Sequence, residues 1–137
     1  MGRALTGTLL LLGLAGCRAY VPDPACWKDA GETLTFPTLV SGQASTLDAG
    51  RVNRCDRALE VIRVTLTPLS CEGECPSVTL SRVPEFPVPI PPGSSLELTL
   101  QASATGPGRS ESLLAVTTGE PDVPENQVWT VVAESAP

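Results

Sequence analysis

Histidine is absent from the 137 residues. With it go the commonest general base and a common metal ligand. Aromatic residues are scarce as well, being only Tyr20, Trp27, Phe36, Phe86 and Trp129. A core built from this chain is therefore expected to be mostly aliphatic, of Leu, Val and Ile. No G-x-S-x-G elbow is present and no glycine-rich phosphate loop precedes a helical pattern. Positive charge is short too. After residue 16, eight basic residues face fifteen acidic ones, a formal charge of −7. Such a chain is not built to neutralise phosphates, which argues against a nucleic-acid partner. Most of the carboxylates fall in turns and on wet strand faces, where they read as solvated rather than as a catalytic pair. These absences point to a protein that is not an enzyme and takes no cofactor or metal.

The longest apolar run is at the amino terminus. Residues 1–17 read MGRALTGTLLLLGLAGC. Arg3 gives a short positive start, and Ala4 to Leu14 are apolar apart from Thr6 and Thr8. The run is shorter than the ~20 residues that cross a bilayer as a helix, and fits the apolar part of a signal peptide. It ends in Leu14-Ala15-Gly16-Cys17, which resembles the lipobox of bacterial lipoproteins. The resemblance implies cleavage before Cys17, leaving residues 1–16 as the signal peptide, and acyl chains on that cysteine. The implied partner is a membrane, reached through the lipid. Arg18 stands where an Asp would retain an enterobacterial lipoprotein at the inner membrane, so the resemblance favours the outer one. No second hydrophobic span is expected.

Four cysteines follow: Cys26, Cys55, Cys71 and Cys75. An even number in a small exported domain reads as two disulfides, for which sequence alone allows three connectivities. The rival reading is a four-thiolate zinc site. Cys71-Glu72-Gly73-Glu74-Cys75 has three intervening residues, however, and the paired C-x-x-C knuckles are missing. Glu72 and Glu74 are too few for calcium, which takes six to eight oxygens, and are expected at an exposed hairpin tip.

Fourteen prolines and eight glycines punctuate the remainder. Residues 18–31 are polar, contain Pro22 and Pro24, and together with Cys17 read as a lipidated tether. Strand signals run from Glu32, and the domain is expected over residues 32–137. Strands are expected at Thr33–Phe36, Ser45–Asn53, Leu59–Thr67, Ser77–Val83, Phe86–Ile90, Leu96–Ala102, Ser112–Thr118 and Gln127–Ala133. In the third, Ile62, Val64 and Leu66 are expected on one face. In the second, Gly50 is expected to mark a bulge. Leu96, Leu98, Leu100 and Ala102 alternate with Glu97, Thr99, Gln101 and Ser103, the clearest two-residue period in the chain. Seven or so short strands with turns at about ten-residue spacing predict an all-β, antiparallel sandwich.

Several local patterns occur in a recognisable order. Asn53-Arg54-Cys55-Asp56-Arg57 leads into Leu59-Glu60-Val61 and Val64-Thr65-Leu66. Phe86 precedes Ile90-Pro91-Pro92-Gly93-Ser94-Ser95. Thr105-Gly106-Pro107-Gly108 precedes Ser110-Glu111-Ser112-Leu113-Leu114. From Leu34 to Ala133 this order resembles the Ig-like domains of the abnormal-spindle/hydin and major-sperm-protein type, which bacterial envelope proteins also carry. Cys55 takes the place of that family's turn glycine. The resemblance implies an Ig-like sandwich.

In such a topology successive strands reverse direction. Cys26, just before the first strand, then lies near Cys55, after the second. Cys71 and Cys75 lie together at the opposite pole. The expected pairs are Cys26–Cys55 and Cys71–Cys75. Trp27 and Trp129 are the candidate ligand-binding side chains, with burial in the core as the alternative for each. Two classes of function follow as expectations. One is a membrane-anchored, non-catalytic module for interaction with another envelope protein or for scaffolding. The other is a small-ligand or glycan-binding lipoprotein using Trp27 or Trp129.

Overall fold

In the computed structural model, residues 26–28, 30–119 and 126–137 are described. The expected signal peptide, Cys17 and the first part of the expected tether lie outside the described residues. Among the described residues ten strands form: β1 Thr33–Thr35, β2 Ala44–Asp48, β3 Arg51–Val52, β4 Leu59–Gly73 and β5 Ser77–Arg82 come first. They are followed by β6 Val88–Ile90, β7 Ser95–Leu96, β8 Thr99–Ser103, β9 Gly108–Thr118 and β10 Asn126–Ser135. The order β1-β10-β9-β4-β6 makes one sheet, β2-β8-β5 a second, and β3-β7 a short ladder. The protein is an all-β, Ig-like sandwich. There are more strands than the expected seven because two long segments break.

The breaks have local causes. The second expected strand divides at Ala49–Gly50, where the Asp48 carboxylate accepts the Gly50 N–H at 2.8 Å. That side-chain bond replaces a ladder bond and releases β3 to pair with β7. The period-2 run Leu96–Ala102 keeps its inward face, with all four apolar residues at 0–1% exposure. Its backbone nevertheless passes from β7 to β8.

β4 is longer than its sequence signal, reaching Gly73. Its phase also differs from expectation. Leu59 and Val61 are buried and Ile62 is 44% exposed. The register against β9 shifts between Val61 and Arg63. Ile62 is the extra residue of a bulge, which resets the alternation so that Val64 and Leu66 turn inward without it.

Not every pairing is antiparallel. β1 runs parallel to β10, with Leu34 opposite Val131. β1 and β2 belong to different sheets. The core lies between the sheets and is largely aliphatic, from Leu59, Leu96, Leu98, Leu100, Leu114, Val116 and Val131. Its two largest members are aromatic, Trp27 and Trp129.

The domain begins earlier than residue 32. Cys26 and Trp27 are each 1% exposed. Trp27 bridges to Asn53, and the Lys28 N–H donates to the Val52 carbonyl at 3.0 Å. Polar flanking residues hid this boundary in the sequence.

Candidate functional surfaces

The two poles of the sandwich each carry a disulfide. Cys26 is bonded to Cys55 across 29 positions, and Cys71 to Cys75 across four. The four-thiolate zinc reading is thereby removed, since every described cysteine is oxidised. Two disulfides suggest an oxidising, extracytoplasmic environment. Among the described residues no three His, Cys, Asp or Glu side chains gather as a metal site.

At the Cys26–Cys55 pole the organising residue is Asn53, which is fully buried. Its Nδ2 donates to the Arg57 carbonyl at 2.8 Å and to the Ile90 carbonyl at 2.9 Å. Its Oδ1 accepts the Cys55 N–H at 2.9 Å. Its own backbone N–H donates to the Ser94 carbonyl, and its carbonyl accepts the Gly93 N–H. Between Pro91 and Ser94 the chain forms a turn closed by Ser94 N–H to Pro91 carbonyl at 3.0 Å. Gly93 sits in it at φ +75°, the left-handed conformation that a type II turn demands of its third residue. One amide side chain thus ties the Pro-Pro-Gly turn to the polar turn after β3. The two most specific motifs of the sequence are neighbours through it.

Trp27 and Trp129 do not lie on a surface. They are 1% and 0% exposed, so neither ring face is open to a sugar or ligand. Trp129 shares the inward phase of β10 with Val131 and Ala133, while Val128 points outward. The Arg51 guanidinium lies over the Trp129 ring, 5.3 Å from its centroid. The sequence left the phase of β10 open because Val occurs on both of its faces.

At the Cys71–Cys75 pole the turn packs against the loop Gly106-Pro107-Gly108. Glu72 pairs with Arg109 in the ladder. The Arg109 guanidinium meets Glu111 at 2.9 Å and Glu134 at 3.7 Å. An open cleft of about 390 Å³ lies here, lined by Glu72, Gly73, Pro107, Gly108, Arg109, Glu134 and Ser135. Arg109 is already held by two carboxylates, and the ion pairs are solvent-screened. Sequence reading missed this cluster because its members come from three distant strands. Period alone would have put Arg109 and Glu111 on one outward face.

No family model matches the chain, and no curated protein matches it. Solved structures do. The secreted serine protease VesC from Vibrio cholerae aligns with a TM-score of 0.53 at 10% identity. The match covers 73% of this chain and 22% of the protease chain, so this chain spans about a fifth of that protein. The ASH / PapD-like domain of human CEP192 (PapD-like domain 7) aligns with a TM-score of 0.52 at 13% identity. It covers 82% of this chain and 87% of that domain. At such identities the likeness concerns the fold alone, an Ig-type sandwich.

Proposed function

We propose that this chain is an exported, membrane-anchored lipoprotein whose Ig-like domain is a non-catalytic interaction or scaffolding module. The carrying observation is the placing of Leu14-Ala15-Gly16-Cys17 at the end of an apolar leader, nine residues ahead of Cys26. A chain cut there exposes a cysteine for acylation, followed by a short tether and a disulfide-closed domain. Two or three acyl chains, at about 0.8 kcal/mol per buried methylene, hold a protein at a bilayer far more firmly than one. Arg18 favours the outer membrane. The interaction role rests on the fold and on what it lacks. Both tryptophans are core residues, and the cleft at the Cys71–Cys75 pole has its arginine held by two carboxylates. Sheet surface and sheet edge are available to a partner. The partner class is another envelope protein.

Intact mass and labelled-palmitate uptake test the anchor. The expected product starts at Cys17 and carries acyl mass, and Cys17→Ala abolishes both label and detergent-phase partitioning. An unmodified leader on the mature protein, or free release into the medium, overturns the reading. Crosslinking on intact membranes followed by capture of the chain tests the module. A specific protein adduct is expected, and a chain with no adduct overturns that half.

A further inference from the structure

The two sides of the sandwich are covered differently. On the β1/β2 side Phe36 and Leu39 are each 3% exposed. Their N–H groups donate to the Val132 and Glu134 carbonyls, sealing the segment against β10. On the other side β4 leads into β5 through residues 74–76. β5 ends its sheet, with β8 on one edge and no described strand on the other. β4 has β6 beside it only over Leu59–Val61. Val64, Leu66, Val78 and Leu80 reach the core there but stay partly exposed. Among the described residues five large apolar side chains are exposed: Ile62, Leu69 and Val83 lie along these two strands or just beyond them, and Val40 and Val128 lie elsewhere.

The two open edges differ in kind. β4 carries Pro68, Arg63 and register shifts at Val61/Arg63 and Pro68/Ser70. Prolines, charges and bulges are the devices by which edges are kept from pairing. β5 has none of them from Ser77 to Leu80. Its single register shift falls at Ser81, between Leu80 and Arg82. The segment Ser77-Val78-Thr79-Leu80-Ser81 is uncharged and symmetric in character about Thr79, reading polar, apolar, Thr, apolar, polar. Thr79 is exposed, whereas Val78 and Leu80 are half-buried.

A strand of that pattern is complementary to itself. Reversed and set alongside, Thr79 faces Thr79 and Val78 faces Leu80, with the ladder ending before the irregularity at Ser81. A threonine pair on the wet face and aliphatic pairs on the inner face are favourable cross-strand neighbours. No like charges are opposed, since Arg82 lies outside the run and comes opposite Pro76.

We propose that β5 pairs antiparallel with β5 of a second copy of this chain, about a two-fold axis at Thr79. The proposal deepens the interaction-module reading and rests on it, but is independent of the lipid. The pairing is isologous and closes on itself. It joins two three-stranded sheets into one of six. It also brings the open sides of both sandwiches together, so that Val64, Leu66, Val78 and Leu80 of each copy gain cover.

The test uses the full chain in detergent. Thr79→Cys places thiols on the axis, and Thr46→Cys places one at an equally exposed position on β2, the other end of that sheet. Mild oxidation is expected to give a disulfide-linked dimer with Thr79→Cys at ten or more times the yield with Thr46→Cys. Thr79→Lys, with like charges across the axis, is expected to give monomers by light scattering with unchanged tryptophan fluorescence. Equal yields, no dimer, or a dimer that survives Thr79→Lys overturns the proposal. A Thr79→Cys adduct with a different protein also overturns it while supporting the broader interaction reading. Acylation of Cys17 is read separately and is expected to be unaffected by any of these variants.

Discussion

Replacing Asn53 by alanine removes three hydrogen bonds from one buried point. The bond from Nδ2 to the Ile90 carbonyl is fully buried, and an orphaned group there costs about 1–3 kcal/mol. The bonds to Arg57 and Cys55 are partly buried. Water can replace them in part, so each is worth about 0.5–1.5 kcal/mol. The sum centres on about 4 kcal/mol. With a urea slope of about 1.5–2 kcal/mol per molar, the midpoint falls by roughly 2–3 M. Tryptophan fluorescence reads the transition directly, because Trp27 and Trp129 are both buried and Trp27 bridges Asn53. Asn53→Asp sharpens the test. It keeps the acceptor but sets a carboxylate against two carbonyl oxygens, which raises its folded pKa above the unfolded value of about 3.9. The stability it retains is then fully present below that value and is lost as pH rises through the folded pKa. Asn53→Asp is therefore expected closer to wild type at pH 4 than at pH 7. A midpoint shift below about 0.5 M for Asn53→Ala, or no pH trend for Asn53→Asp, would refute the view that this amide holds the two turns together.

Two further outcomes are expected. On the chain-entropy estimate, Cys26–Cys55 contributes about 3.5 kcal/mol and the short Cys71–Cys75 ring about 2 kcal/mol. Paired Ser replacements should lower the melting temperature in that order. Gly108→Ala should destabilise by several kcal/mol, as about 2–4 kcal/mol is typical of a clash that backbone must absorb, because a Cβ would meet the Glu72 carbonyl oxygen at 2.5 Å and the Glu74 carbonyl at 2.7 Å. Gly106→Ala should cost about 1 kcal/mol or less, since its obstacle is the mobile end of the Glu74 side chain. Thermal melts that fail to separate the two glycines would contradict the packing described for that pole.

The fold class was legible because its signals are local. Leu96, Leu98, Leu100 and Ala102 write an inward face into the sequence, and Pro91-Pro92-Gly93-Ser94 writes a turn. What was not legible depends on distant partners. The bulge at Ile62 exists only in the register against β9, so period counting placed Ile62 with Val64 and Leu66. Cys26 and Trp27 sit among polar residues, and only their docking against Val52, Asn53 and Cys55 makes them part of the domain. The parallel course of β1 beside β10 likewise unites the two ends of the chain. Asn53 read simply as a turn residue, because its partners Arg57 and Ile90 are brought together by the fold. Residue type alone allows the tryptophans as ligand contacts, and their burial decides against it.

The Cys26–Cys55 bond alters how the domain bears load. A pull on the chain ahead of Cys26 would otherwise peel β1 from β10, where three register pairs hold it. The bond instead diverts tension past β1, β2 and β3 to the start of β4. That strand lies along β9 from Val61 to Gly73, so the force is met in shear by many ladder bonds at once rather than by unzipping them singly.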